Sequence, residues 1–264
     1  MANLHHPSFM AKVMAKRGLA VSRPASQLKR IHPHGSATNS AEIFYAGQKF
    51  IGGEPRVLYL DYETTPEAIL CFGGIYEVNA IKMLKNTHVA SVAWRWGHEE
   101  KTHVKSWRHF KGYKRPKDIW EALRDMDDAP LMRFVRTLVD PADIIIAQNG
   151  DRFDVPIMHT RFLQHGIPPP RPYMTIDTLK IFKKYFKFDS NKQGWVSEQF
   201  GTVPKLATHG EKTWTGFIMG DPKECKIMEE YNKVDVEGLY ANFHLVLPWV
   251  LWKENRRRAI EVKI

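Results

Sequence analysis

The chain has 264 residues, 43% hydrophobic and 26% charged. That is enough apolar material for one sizeable domain with appended segments, and the balance of a globular protein. A formal net charge of +10 and a pI near 9.5 favour polyanionic partners, with nucleic acid first among them. Two cysteines, Cys71 and Cys225, with no CxxC pair, exclude a disulfide scaffold and argue against a thiolate zinc site. No apolar run approaches the roughly 18 residues of a membrane span. Lys12, Lys16 and Arg17 interrupt any secretory segment, so no membrane and a cytoplasmic setting are expected.

Residues 1–53 read as a basic N-terminal arm, in which Lys12, Lys16, Arg17, Arg23, Lys29, Arg30 and Lys49 face Glu42 alone. A short helix is expected at residues 9–17, and residues 16–30 have the loose spacing of a helix-turn-helix fragment. His5-His6 and His32-Pro33-His34 have the composition for adventitious metal binding, with structural or solvated histidines as the plainer reading. From Arg56 the pattern turns α/β. Residues 57–61 are β-branched and aromatic, and predict a strand. Val89–Trp96 predicts a second, with Ala90, Val92, Trp94 and Trp96 on one face. After a turn near Gly97, residues 102–107 return as a third.

Pro116 opens a predicted helix to about Met126, and residues 131–139 carry apolar side chains at helical spacing. Ile144–Ala147 is continuously apolar, which suits a central strand covered on both faces. Residues 154–165 predict a helix stopped by Gly166. Residues 175–186 hold a strand or a helix, residues 194–200 a short helix ended by Gly201, and residues 201–220 an irregular stretch. A long helix, or two abutting ones, is expected over residues 222–247, with Asp221 as N-cap and Pro222 at the first helical position. Arg256-Arg257-Arg258 mark residues 253–264 as a basic tail.

Acidic residues occur where packing favours apolar ones. Asp61 and Glu63 follow the first strand and share a face, where two carboxylates repel unless a cation lies between them. The end of a strand is also where open α/β sheets place ligands. Asp154 follows the turn Gln148-Asn149-Gly150 and opens a helix; Asp151, in the exposed turn, is the weaker candidate. Tyr231 and Asp235 lie four residues apart on one helix face, within a stripe containing Met228 and Leu239. Each context has a bland reading: solvated acids, a helix cap, a surface pair. Together they suggest carboxylates collected around a hard divalent cation.

These motifs resemble the DnaQ-like, or DEDD, 3′–5′ exonuclease superfamily. Asp61-Tyr62-Glu63-Thr64-Thr65 is similar to its first motif, Asn149-Gly150-Asp151-Arg152-Phe153-Asp154 to its second, and Tyr231-Asn232-Lys233-Val234-Asp235 to its third in the tyrosine form. Glu230 stands where the histidine subclass would have His. The stretch from Asp177 to Val196 looks like phage nucleases and the proofreading domains of family B polymerases. The resemblance covers residues 56–249 and implies a ribonuclease-H-like fold, a mixed five-stranded sheet flanked by helices, within a domain at residues 54–252. It implies that Asp61, Glu63, Asp154 and Asp235 hold two divalent ions, Mg²⁺ or Mn²⁺, and that Tyr231 orients the attacking water. Thr64, Thr65, Asn149 and Phe153 would contact the substrate, although a core anchor is the plainer role for Phe153. Trp94, Trp96, Trp107, Tyr113 and Trp214 are candidate base-stacking residues, with core packing as their default. The implied activity is 3′–5′ hydrolysis of DNA with a free 3′ end to nucleoside 5′-monophosphates, in association with replication or repair proteins. An exoribonuclease, a structure-selective endonuclease and a catalytically silent nucleic-acid-binding module are the alternatives.

Overall fold

A computed structural model describes residues 43–45, 48–50, 55–72, 79–207 and 210–261. The chain divides into two units, residues 1–54 and 55–264. In the first, β1 (Ile43–Tyr45) and β2 (Gln48–Phe50) pair antiparallel, a hairpin in a stretch whose sequence predicted no strand. The helix expected at residues 9–17, the helix-turn-helix fragment at 16–30 and the histidine pairs lie outside the described residues.

The second unit is built on a five-stranded sheet. Its strands are β3 (Val57–Thr64), β6 (Val89–Trp96), β7 (His103–Ser106), β8 (Ile144–Ala147) and β9 (Met174–Asp177). They lie in the order β7-β6-β3-β8-β9. β6 runs antiparallel to β3 and β7, whereas β8 is parallel to β3 and β9. This mixed sheet with flanking helices is a ribonuclease-H-like arrangement, the fold class read from the sequence. Ile144, Ile145, Ile146 and Ala147 are all buried, as a doubly covered central strand requires.

Side-chain alternation along β3 assigns its two faces. Leu58, Leu60 and Tyr62 join a core with Val92 and Trp94 of β6, with Leu131, Met132, Val135 and Leu138 of helix α2 (Ala129–Val139), and with Met158 and Phe162 of helix α3 (Asp154–Gln164). Tyr59 points the other way and packs edge-on against Tyr240 and Phe243 at ring distances of 5.0 and 6.0 Å. Those rings belong to helix α7 (Pro222–Glu261). The period of two therefore aims Asp61 and Glu63 at α7 as well. A bulge in the β3–β6 ladder, where Glu63 faces Ser91 but Thr64 faces Val89, turns Ala90 out of the predicted row. Ala90 packs instead with Trp107, Phe217 and Met228.

The remaining helices differ from expectation in three places. Helix α1 (Ile119–Asp125) begins after Pro116, because the Asp118 side chain accepts the Glu121 N–H and sets the N-cap there. The irregular stretch at residues 201–220 contains helix α6 (Glu211–Ile218). Helix α7 is one continuous element that carries on through Pro248, so residues 253–261 of the basic tail continue its backbone. Helices α4 (Thr178–Tyr185) and α5 (Gln193–Phe200) lie where expected, and β9 and α4 share the segment that read as strand or helix. β4 (Ala68–Phe72) and β5 (Asn79–Lys85) form a separate hairpin that the sequence did not indicate. Among the described residues no helix is long and apolar enough to cross a membrane.

Candidate metal centre

Three elements meet at the end of β3. β3 pairs with β8 only through Val57, Leu58 and Tyr59, so Asp61 and Glu63 project beyond the last β8 rung. α7 crosses this face and brings Asp235 to them. One carboxylate oxygen from each of Asp61, Glu63 and Asp235 lies within 4.8 Å of the others. Asp154 enters from α3 and is buried, with one oxygen accepting the Tyr62 N–H at 3.1 Å. It stands outside that tightest group but is near enough to raise the pKa of both Asp61 and Glu63. Asp151, in the turn, pairs with Lys180 at 2.6 Å.

A strained turn places Asp154. Asn149 adopts a positive φ of 61°, and its N–H donates to Asp177 Oδ1 at 2.9 Å. Gly150 follows where a Cβ would lie 2.4 Å from Ala147 Cβ, so no other residue fits without movement.

The electrostatics are those of negative charge in excess. Burial, then the charges of Asp154, Glu63 and Asp235, push the Asp61 carboxyl well above its ordinary range. Burial, then Asp235, lifts Glu63 to about 8. Burial lifts Asp154 to about 7 against the opposing Tyr62 N–H, and it raises Asp235. A second acidic group, Asp127, Asp128 and His165, shows the contrast. Asp128 is also fully buried, yet its pKa is lowered. Burial pushes it upward, but the Arg161 guanidinium, 2.9 Å away at Nε, outweighs that. That group carries its own counter-charge. Among the described residues Lys205 is the single cation against four carboxylates at the β3–α7 cluster, and the acids keep raised pKa values. Oxygen ligands at this spacing, short of positive charge, fit a hard divalent cation.

Two residues of the site escaped the sequence reading. Lys205 lies 3.1 Å from Asp235 Oδ2, bonds the Tyr231 hydroxyl and sits 4.9 Å from that ring. Burial opposes its charge, but Tyr231 and Asp235 hold its pKa above the ordinary lysine value. Asn232 donates to Asp61 Oδ2 at 2.7 Å and accepts from Ser91 Oγ at 2.9 Å. Asn232 is fully buried in the α7 stripe next to Tyr231, and a neutral amide there was the available signal. Lys205 sits in an irregular segment with no periodicity to betray it.

The predicted substrate contacts separate. Phe153 is 41% exposed beside Asp154, which replaces the expected core anchor with a surface ring. Asn149 and Thr64 are partly exposed. Thr65 is buried and bonded twice to the backbone of His88, at 2.9 and 3.0 Å, so it braces the strand end. Trp94 and Trp107 are buried, Trp96 and Trp214 pack against the core, and Tyr113 is 36% exposed.

No protein-family model and no curated protein sequence matches the chain. Among solved structures it is similar to the family B DNA polymerase of the hyperthermophilic archaeon Pyrobaculum calidifontis, with a TM-score of 0.53 and 16% identity. The match covers 76% of this chain and 26% of that one, so the chain spans about a quarter of the polymerase's length. At that identity the likeness is one of fold.

Proposed function

We propose that the protein is a metal-dependent 3′–5′ exonuclease that shortens DNA from a free 3′ end to nucleoside 5′-monophosphates. The observation that carries this reading is the convergence of Asp61, Glu63 and Asp235 within 4.8 Å, with Asp154 beside them. The ribonuclease-H-like fold and its likeness to a family B DNA polymerase support it. Asp61, Glu63, Asp154 and Asp235 would hold two divalent ions, Mg²⁺ or Mn²⁺. Such ions, when bound, supply a nucleophile at neutral pH and neutralise charge on the phosphate.

The chain's own residues set the geometry. Asn232 fixes one Asp61 oxygen, and the Tyr62 N–H fixes one of Asp154. Burial lifts the Tyr231 hydroxyl to about 12, so it keeps its proton and acts by positioning water rather than as a base. Lys205 holds Tyr231 and Asp235 in register. Phe153 and Asn149 would line the approach for the terminal nucleotide, with Thr64, at the end of β3, as a further contact. Association with replication or repair proteins belongs to the same reading.

A 5′-labelled single-stranded oligonucleotide incubated with protein and Mg²⁺ or Mn²⁺ tests the proposal. A ladder shortening from the 3′ end is expected, lost in EDTA and in Asp61→Ala with Glu63→Ala. One internal cut would establish an endonuclease, and an intact oligonucleotide under every metal would establish a binding module. The same ladder obtained only with RNA would reassign the substrate.

A further inference from the structure

The sequence holds a dense run of basic residues that the metal centre does not use. Residues 101–117 contain Lys101, Lys105, Arg108, Lys111, Lys114, Arg115 and Lys117 and no acid. Self-repulsion would extend such a segment, yet here it is fastened at two points, one in the N-terminal half of α7 and one in the turn that leads into it. Arg108 makes a bidentate pair with Glu229, at 2.7 and 2.6 Å, and Ser106 Oγ donates to the same carboxylate at 2.6 Å. Farther on, Arg115 reaches Asp221 at 4.0 Å and the Met219 carbonyl at 3.4 Å. The Tyr113 hydroxyl lies where a Cβ on Gly220 would stand, 2.1 Å away, and Gly220 has a φ of +66°. A side chain there would therefore displace the loop.

Between these anchors Lys111 and Lys114 are exposed and have no partner among the described residues. Tyr113 stands between them, and the loop rims a cleft of about 510 Å³. The acids that line the same cleft already have partners. Glu121 accepts the Lys117 N–H, Asp125 pairs with Arg124, and Asp127 accepts the Ala129 N–H.

The run is aligned with the metal centre. Trp107, at its start, packs in one cluster with Met228 and Tyr231. At about 1.5 Å rise per residue, the Glu229 anchor lies about 9 Å along α7 from Asp235, and the Asp221 anchor about 21 Å. A single strand stacked as in B-DNA advances about 3.4 Å per nucleotide. With its 3′ end at the acids, it passes these anchors about three and six nucleotides upstream.

We infer that residues 107–117 form a second substrate surface, a fixed basic and aromatic track that grips the phosphates of a single strand about three to six nucleotides from its 3′ end. This rests on the nuclease reading for its orientation. Binding there is sequence-independent, because ammonium groups contact phosphate and a ring stacks on any base.

The test is fluorescence anisotropy in EDTA with 5′-labelled DNA of 3, 6 and 12 nucleotides, so that cleavage plays no part. Wild-type affinity should climb between 3 and 6 nucleotides and level off by 12. Lys111→Ala with Lys114→Ala should weaken the 12-mer about tenfold at low salt and lower the salt slope by about 1.4, two single-strand phosphate contacts. A charge-matched control, Lys183→Ala with Lys187→Ala, should stay within about twofold of wild type, by the same counting of contacts. Equal losses in both variants, or poly-glutamate competing as well as the 12-mer, would overturn the track, since bulk charge alone would then explain binding. A protein that cleaves yet shows no length dependence keeps the nuclease reading and loses the track. One that shows the length and lysine dependence but never cleaves keeps the binding surface and loses the nuclease.

Discussion

Glu63→Gln removes a charge from the most crowded part of the carboxylate cluster while keeping its shape. In the metal-free protein the Glu63 carboxyl rises from 4.5 to about 8. Between those values the folded chain holds a proton that the unfolded chain has released. Stability is therefore lost as pH rises through that window. A rise of this size corresponds to at most about 5 kcal/mol. Solvent reaching this partly exposed side chain cuts that to about 1–2 kcal/mol. Glutamine does not ionise, so the metal-free variant should be more stable at pH 8, with the advantage fading towards pH 4.5. For a chain of this size the gain is about 2–4 °C in Tm. Mn²⁺ at a hundredfold excess over its Kd should stabilise the native protein by about 2.7 kcal/mol and the variant by much less. Thermal unfolding followed by circular dichroism, at pH 5 and pH 8 in EDTA and in Mn²⁺, measures all four states. A variant less stable than the native chain at pH 8 in EDTA, or one that gains equally from Mn²⁺, would refute the idea that an unmet cation requirement governs these acids.

Lys205→Ala should lower kcat by about tenfold to a hundredfold, the range for loss of a group supporting a metal ligand. It should also move the acid limb of the pH profile upward, because Lys205 holds the Asp235 pKa down; Lys205→Arg should restore part of both. Asn232→Ala frees one Asp61 oxygen and orphans Ser91, which should cost about 1–3 kcal/mol and show as a lower urea midpoint together with reduced Mn²⁺ affinity. Arg161→Ala leaves Asp128 buried with His165 as its remaining side-chain partner, and should cost about 3–5 kcal/mol in chemical denaturation. A loss below about 1 kcal/mol would mean that Asp128 takes up a proton instead.

The sequence by itself determined the strands at Val89–Trp96 and Ile144–Ala147, the acid-opened helix at Asp154 and the face shared by Tyr231 and Asp235. Each is a local pattern with a period of two or 3.6, and backbone geometry reads such periods directly. The spacing Asp61-x-Glu63 was equally local, since alternation alone puts both acids on one side of β3. Distance was beyond it. The bulge that turned Ala90 over, the hairpin of β4 and β5, the exposure of Phe153 and the arrival of Lys205 and Asn232 at the carboxylates all depend on which faces were already covered. Only the tertiary structure decided these, because α7 buries its stripe on the same face of β3 that carries Asp61 and Glu63. The encounter of side chains more than 140 positions apart follows from that packing and leaves no trace in any short window of sequence.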